Sequence, residues 1–283
     1  MPVNSLNFSN VVMLKNYLIT PATTDANNFD VYQLDHKDSY EITRVITSFN
    51  GYKLVNNNGI TDDYGGRNDL GIIMKMLVID NILYVGYESG DLLALNIDFE
   101  PPIIITKAND APSTGKLSAF LKQSKTVINR DPKITLVDHI NIHAPNPIIS
   151  LSHSNNHIIA GSTTNKLSLD HDILKLNNSG IQSILPTHKV LLIGYWNGII
   201  EGYSDNQCVF TNKRQLPRVN ILDSNKGNAK QENSLLVKLT FMVSRDKIES
   251  KAVSKYSIKQ KFTDQELVFV GFEDGTIYVY IVS

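Results

Sequence analysis

A single cysteine, Cys208, serves the whole 283-residue chain. It excludes an internal disulfide and any zinc site built on cysteine, and it fits a reducing compartment. Charge of either sign is not in excess: 27 Lys and Arg face 28 Asp and Glu, so there is no global pull toward nucleic acid or an anionic membrane. No run approaches the roughly 18 apolar residues that a membrane-spanning helix needs. The opening MPVNSLNFSNVVMLKN lacks the basic-then-apolar order of a secretory signal. The Asn-x-Ser triplets at Asn7 and Asn177 are therefore read as chance matches to a glycosylation acceptor.

Catalytic motifs are missing as well. There is no HExxH, no Gly-x-Ser-x-Gly elbow, and the glycines between Tyr64 and Gly71 lack the order of a phosphate-binding loop. His139 and His143 stand four apart, as do His153 and His157, with His171 and His188 nearby. In strand and turn sequence that spacing spans roughly 13 Å, too far for one ion, and these residues are read as polar loop histidines. Cys208 lies in an apolar strand context, where a buried thiol is expected. Asp62, Asp63, Asp69 and Asp91 could pair only through the fold. No catalytic, cofactor-binding or metal-binding residue is assigned, no cofactor is expected, and the chain is not expected to be an enzyme.

Repetition is what the chain does have. LYVGYESGDLLALNI from Leu83, LLIGYWNGIIEGYS from Leu191 and LVFVGFEDGTIYVYIV from Leu267 share one plan: an apolar run, Gly, an aromatic, two further residues, a second Gly and another apolar run. The glycine pairs are Gly86 and Gly90, Gly194 and Gly198, Gly271 and Gly275. The second Gly of each pair suits a tight turn that requires positive φ. Two weaker units complete the series. One runs through LNFSNVVML, YLITPATT and FDVYQL from Leu6 to Leu34; the other through PIISLSHS, HIIAGSTT and KLSLDHDI from Pro147 to Ile173, with Gly161 in the first-Gly place. Leading strands are expected at IIMKMLVID, GIQSILPTH and LLVKLTFMVS, and fourth strands at EITRVITSF and QCVFTNKR.

Four-stranded units of roughly 40 residues in series predict an all-β fold, a β-propeller of the WD40 type. About five blades are recognisable. TIYVYIVS is the third strand of its unit, and nothing upstream of LNFSNVVML supplies a fourth, so the expectation is an N-terminally incomplete seven-bladed ring. The whole of 1–283 reads as one propeller domain, with polar insertions at about 53–70, 101–146 and 206–264. The last insertion carries an excess of Lys and Arg between Lys213 and Lys261. Without interleaved aromatics it reads as a solvated segment and not a nucleic-acid surface. Trp196, the only tryptophan, is either a core plug or an anchor on the blade rim.

The hairpins are similar to WD repeats, although no unit has the Trp-Asp dipeptide or an opening Gly-His. NSLNFSNV with LITPATTDANNFDVYQL, GYESGDLLAL, LLIGYWNGIIEGY with QLPRVNIL, and VGFEDGTIYVY resemble the fungal ASTRA-associated WD-repeat family, relatives of the G-protein-β-like proteins. That resemblance implies a non-catalytic scaffold subunit of a nuclear complex concerned with chromatin remodelling. The same complex would support the assembly or stability of phosphatidylinositol-3-kinase-related proteins. The implied partners are protein subunits: a giant kinase-like chain, its chaperones and AAA+ ATPases, with no direct nucleic acid and no membrane. Binding energy on a propeller concentrates in a few anchors on its turns, and the candidates are Tyr87, Glu88, Trp196, Phe272, Glu273 and Asp274. The alternative is a stand-alone propeller adaptor that recognises a peptide or a histone tail.

Overall fold

The structure, a computed structural model, describes residues 8–35, 41–57, 69–99, 104–107, 126–129, 132–214, 238–245 and 266–282. Five antiparallel sheets follow one another along the chain. The first contains β1 (Val12–Leu14), β2 (Tyr17–Pro21), β3 (Phe29–Asp35) and β4 (Glu41–Phe49), followed by a short helix α1 (Tyr52–Asn57). The second contains β5 (Ile73–Ile79), β6 (Ile82–Tyr87) and β7 (Leu92–Asp98). A separate hairpin of β8 (Ile104–Lys107) and β9 (Thr126–Asn129) intervenes before the fourth strand of that sheet, β10 (Lys133–Ile140), pairs with β7. The third is β11 (Ile148–Ser154), β12 (His157–Ser162), β13 (Lys166–Leu169) and β14 (Asp172–Lys175). The fourth is β15 (Ile181–Pro186), β16 (Leu191–Tyr195), β17 (Ile199–Ser204) and β18 (Gln207–Lys213). The fifth has three strands, β19 (Leu239–Arg245), β20 (Glu266–Phe272) and β21 (Ile277–Val282). The first strands touch in succession, β1 to β5, β5 to β11, β11 to β15 and β15 to β19. This is the blade-to-blade order of a β-propeller.

The core lies between blades, not within one. Phe29 and Val31 meet Ile73, Met76 and Val85 between blades 1 and 2, and Leu92 and Ile140 meet Ile148 and Ile158 between blades 2 and 3. Ile159 and Leu167 meet Ile181 and Tyr195 between blades 3 and 4, while Leu192 and Ile200 meet Leu239 and Val270 between blades 4 and 5. Successive side chains on a strand point to opposite faces. A second strand therefore serves two cores at once: Ile158 and Ala160 face back while Ile159 faces forward. Burial on both faces is why these strands read as continuous apolar runs instead of alternating ones.

The paired glycines do two different things. Gly90, Gly198 and Gly275 have φ of +91°, +76° and +81°, the left-handed region that the turn between second and third strands requires. The first glycines instead admit the next blade. A β-carbon on Gly86 would lie 2.8 Å from Ile148 Cγ2, one on Gly161 2.5 Å from Ile181 Cγ2, and one on Gly194 2.7 Å from Leu239 Cδ1. Ile148, Ile181 and Leu239 each open the first strand of the following blade, and all three are buried. At Gly271 the space is filled from within the blade, by the Phe241 ring.

A register shift recurs immediately after each of these opening residues, between Ile73 and Lys75, Ile148 and Ser150, Ile181 and Ser183, and Leu239 and Phe241. The shift sets Lys75, Ser150, Ser183 and Phe241 opposite the four first glycines. From there Ser150 donates to the Ile181 carbonyl at 2.6 Å, and Ser183 accepts from the Met242 amide at 3.2 Å. Asn10 makes the corresponding link from blade 1, donating to the Met76 carbonyl at 2.9 Å and accepting from its amide at 3.0 Å. Lys75 holds that place in blade 2, where burial lowers its pKa.

At the other end of the blades, two-residue turns join Ile79 to Ile82, Ser154 to His157 and Ser204 to Gln207. Their central residues, Asp80–Asn81, Asn155–Asn156 and Asp205–Asn206, all have positive φ. Two such residues in a row are the backbone of a type I′ hairpin, which Asn and Asp tolerate best after glycine.

Four expectations change. The segment 101–146, expected as an insertion, contains β8, β9 and β10, and β10 completes blade 2. Segment 206–264 contains β18 and β19, in the places expected for QCVFTNKR and LLVKLTFMVS. Segment 53–70 holds most of α1, with Val55 buried, and ends in Asp69 and the buried Leu70, while 141–146 forms the turn after β10. Residues 58–68, 100–103, 108–125, 130–131, 215–237 and 246–265 lie outside the described residues, and with them Asp62, Asp63, Arg218 and the lysines at 226, 230 and 247–261. Cys208 is exposed, not buried, because β18 is an outer strand, paired among the described residues on one side only, and is exposed along its length.

Gly161→Ala is expected to cost about 1–3 kcal/mol by overpacking, since the added methyl meets β-branched Ile181 and Ser150 Oγ, and Ile has few rotamers to offer. Gly194→Ala meets the flexible tips of Leu239 and Met242 and is expected to cost less. Urea midpoints of the two variants check this order, and equal losses would refute the role given to the first glycines.

Candidate functional site

The turns between second and third strands gather at one end of the blades, and there the candidate anchors separate into two kinds. Tyr87, Tyr195 and Phe272 each follow a first glycine and end the second strand, so their side chains face opposite to that glycine, and all three are buried. Tyr87 reaches back to Gly51, where an added β-carbon would lie 2.5 Å from its hydroxyl, and shares a core cluster with Leu93. Tyr87 and Phe272 are thus core residues, which sequence spacing placed on an exposed turn. Position two after the glycine turns outward instead. Glu88 is half-buried and accepts from the Ile72 amide at 3.3 Å. Glu273 is exposed and accepts from the Lys238 amide at 3.1 Å. Trp196 is 40% exposed; its indole covers Gly180 and donates Nε1–H to Gln182 Oε1 at 2.6 Å. Of the two roles left open for Trp196, the structure shows the rim position.

Polar residues near these turns bond to one another. In blade 2 Asp91 is fully buried; its carboxylate accepts from Ser89 Oγ and lies 2.7 Å from His139 Nε2, on β10. In blade 1 the buried Asp30 accepts from the Ser48 amide at 2.7 Å and the Tyr32 hydroxyl at 3.1 Å, with Arg44 Nε at 3.8 Å. In blade 4 the buried Glu201 accepts from Tyr195 at 2.6 Å, Tyr203 at 2.8 Å, Asn178 at 2.9 Å and Asn177 at 3.3 Å. Four donors replace the water that a buried carboxylate loses. Burial and the adjoining carboxylate raise both tyrosine pKa values, Tyr203 to about 12. Arg214, just after β18 of blade 4, reaches blade 5, where it binds Asp274 at 2.5 Å and lies over the Phe272 ring at 4.7 Å and the Tyr278 ring at 5.5 Å. The guanidinium holds the Asp274 carboxyl below the usual carboxylate range.

This arrangement offers structure more readily than chemistry. Nucleophilic catalysis needs a base bonded to the nucleophile and a third group orienting the base. In blade 2 the carboxylate stands between Ser89 and His139, so the imidazole does not reach the hydroxyl through this network. Among the described residues no group of three His, Cys, Asp or Glu could hold a metal ion. A groove of about 370 Å³ between blades 4 and 5 is lined by Leu192, Ile200, Phe210, Val268 and Tyr280, with Lys189 and Asn212 among its few polar members.

The histidines do not form the group of polar loop residues expected from their spacing. His139 is on β10 with a buried side chain, and His143 is buried beside Ser168 Oγ at 3.0 Å. Their apolar flanks, in LVDHINIHAP, belong to a fourth strand and the turn after it. His157 and His171 are exposed and pair with Asp170 at 2.6 Å and Asp138 at 3.1 Å, surface contacts of small energetic weight. The partners of Asp91 and Glu201 were out of reach of sequence reasoning. Ser89 and Tyr195 are near in sequence, but His139 is 48 residues away from Asp91.

Two outcomes follow. Among the described residues the Tyr87 hydroxyl is buried without a hydrogen-bond partner, so Tyr87→Phe is expected to stabilise the protein by about 1 kcal/mol, read as a higher urea midpoint. A loss would show that the hydroxyl is satisfied. Burial, with Lys166 nearby, lowers the His143 pKa to about 4, against about 6.5 in an unfolded chain. A depressed histidine pKa means that the unfolded state binds the proton first, so stability is full above about pH 6.5 and declines as pH falls toward 4. The full contribution is about 3 kcal/mol. The measurement is stability against pH for the protein and for His143→Gln; the variant should lose this part of the slope.

The family profile described as "ASA1: ASTRA-associated protein 1" matches residues 1–280. ASTRA-associated protein 1 of Candida tropicalis is 38% identical over 293 residues, covering 99% of this chain and 75% of the relative. That of Scheffersomyces stipitis is 33% identical over 330 residues, covering 99% and 76%. Among solved structures, the WD40 β-propeller domain of Doa1 is similar at a TM-score of 0.47 and 11% identity, over 97% of this chain and 64% of that one. Near-complete coverage by the family profile and by relatives above 30% identity gives one conclusion: the chain belongs to the ASTRA-associated protein 1 family.

Proposed function

We propose that this protein is a non-catalytic scaffold subunit of the ASTRA complex, and that it binds protein partners through the turns between second and third strands. Family membership supports the complex. The observation that carries the mode of action is the division of labour at those turns. The carboxylates of Asp30, Asp91 and Glu201 are buried and bonded within their own blades. Trp196 is left exposed on a rigid support of Gly180 and Gln182. A large, fixed aromatic group suits a binding anchor, since little conformational entropy remains to be lost on docking. Glu273, Glu88 and Asp274 surround the same end of the blades as secondary contacts. The finer role is a nuclear one: support of chromatin remodelling and of the stability of phosphatidylinositol-3-kinase-related proteins. Its partners would be a giant kinase-like chain, that chain's chaperones and AAA+ ATPases.

Affinity purification of the tagged protein from nuclear extract, followed by mass spectrometry, tests the reading. The expected outcome is co-recovery of the kinase-like chain with its chaperones, at least tenfold reduced in Trp196→Ala while the variant keeps its urea midpoint within about 0.5 kcal/mol of stability. Recovery of histones without those subunits would replace the scaffold by an adaptor for histone tails. Undiminished recovery with Trp196→Ala would remove the tryptophan from the interface.

A further inference from the structure

We draw no further inference here: the strongest candidate, the apolar face of the last blade that carries Phe241, Val243, Ile277, Val279 and Ile281 and turns away from the blade before it, carries none because nothing in the structure shows what covers it.

Discussion

The seating of the opening residues of blades 3, 4 and 5 in the glycine gap of the blade before is the constraint on which the rest of this structure depends. Ile148, Ile181 and Leu239 occupy the space that a side chain at Gly86, Gly161 or Gly194 would need. Each buried residue of this size contributes about 1.5–3 kcal/mol relative to exposure. The contact also fixes the distance between sheets. Once that distance is set, the second strand has an apolar neighbour on either side, and polar groups are confined to its ends. The register shift beside each opening residue then delivers Ser150 and Ser183 to the backbone of the next blade. Packing and hydrogen bonding thus act at the same point on the seam.

Buried carboxylates are the second organising element, and blades 1, 2 and 4 each satisfy theirs with different chemistry. Asp30 uses a backbone amide, a tyrosine and an arginine; Asp91 a serine and a histidine; Glu201 two tyrosines and two asparagines. What recurs is the satisfaction of a charge taken out of water, which is obligatory in a low-dielectric interior. The identity of the partners is free to vary.

The repeat plan, the places of nearly all the strands and the turn role of the second glycines were legible in the sequence, because apolar runs and glycine spacing are local. The first glycines were visible as a pattern, but their reason was not: Gly86 is single-minded about Ile148, a residue of another blade. The same distance hid β10, whose charged and polar residues look like loop until they pair with β7. Tyr87 and Phe272 were misplaced for a different reason. An aromatic between a glycine and an acidic residue reads as part of an exposed turn, yet it is still the last residue of a strand whose side faces the core. The Asp-Asn and Asn-Asn dipeptides at 80–81, 155–156 and 205–206 were a local signal for three further hairpins.

Blade 2 has a freedom of length that blades 3 and 4 lack. Its fourth strand arrives only after the chain has run from Phe99 to Pro132, whereas blades 3 and 4 join their third and fourth strands by two-residue connections. Closing a longer loop adds only about 0.6 kcal/mol per doubling. That connection can therefore grow or shrink over evolutionary time with little thermodynamic consequence, provided Lys133 still returns opposite Asp98 and His139 still reaches Asp91. The left-handed turns allow no such drift, since one inserted residue would reverse which side of the strand faces the core. Within one architecture, then, lineages could diversify at blade 2 while blades 3 and 4 stay fixed in length.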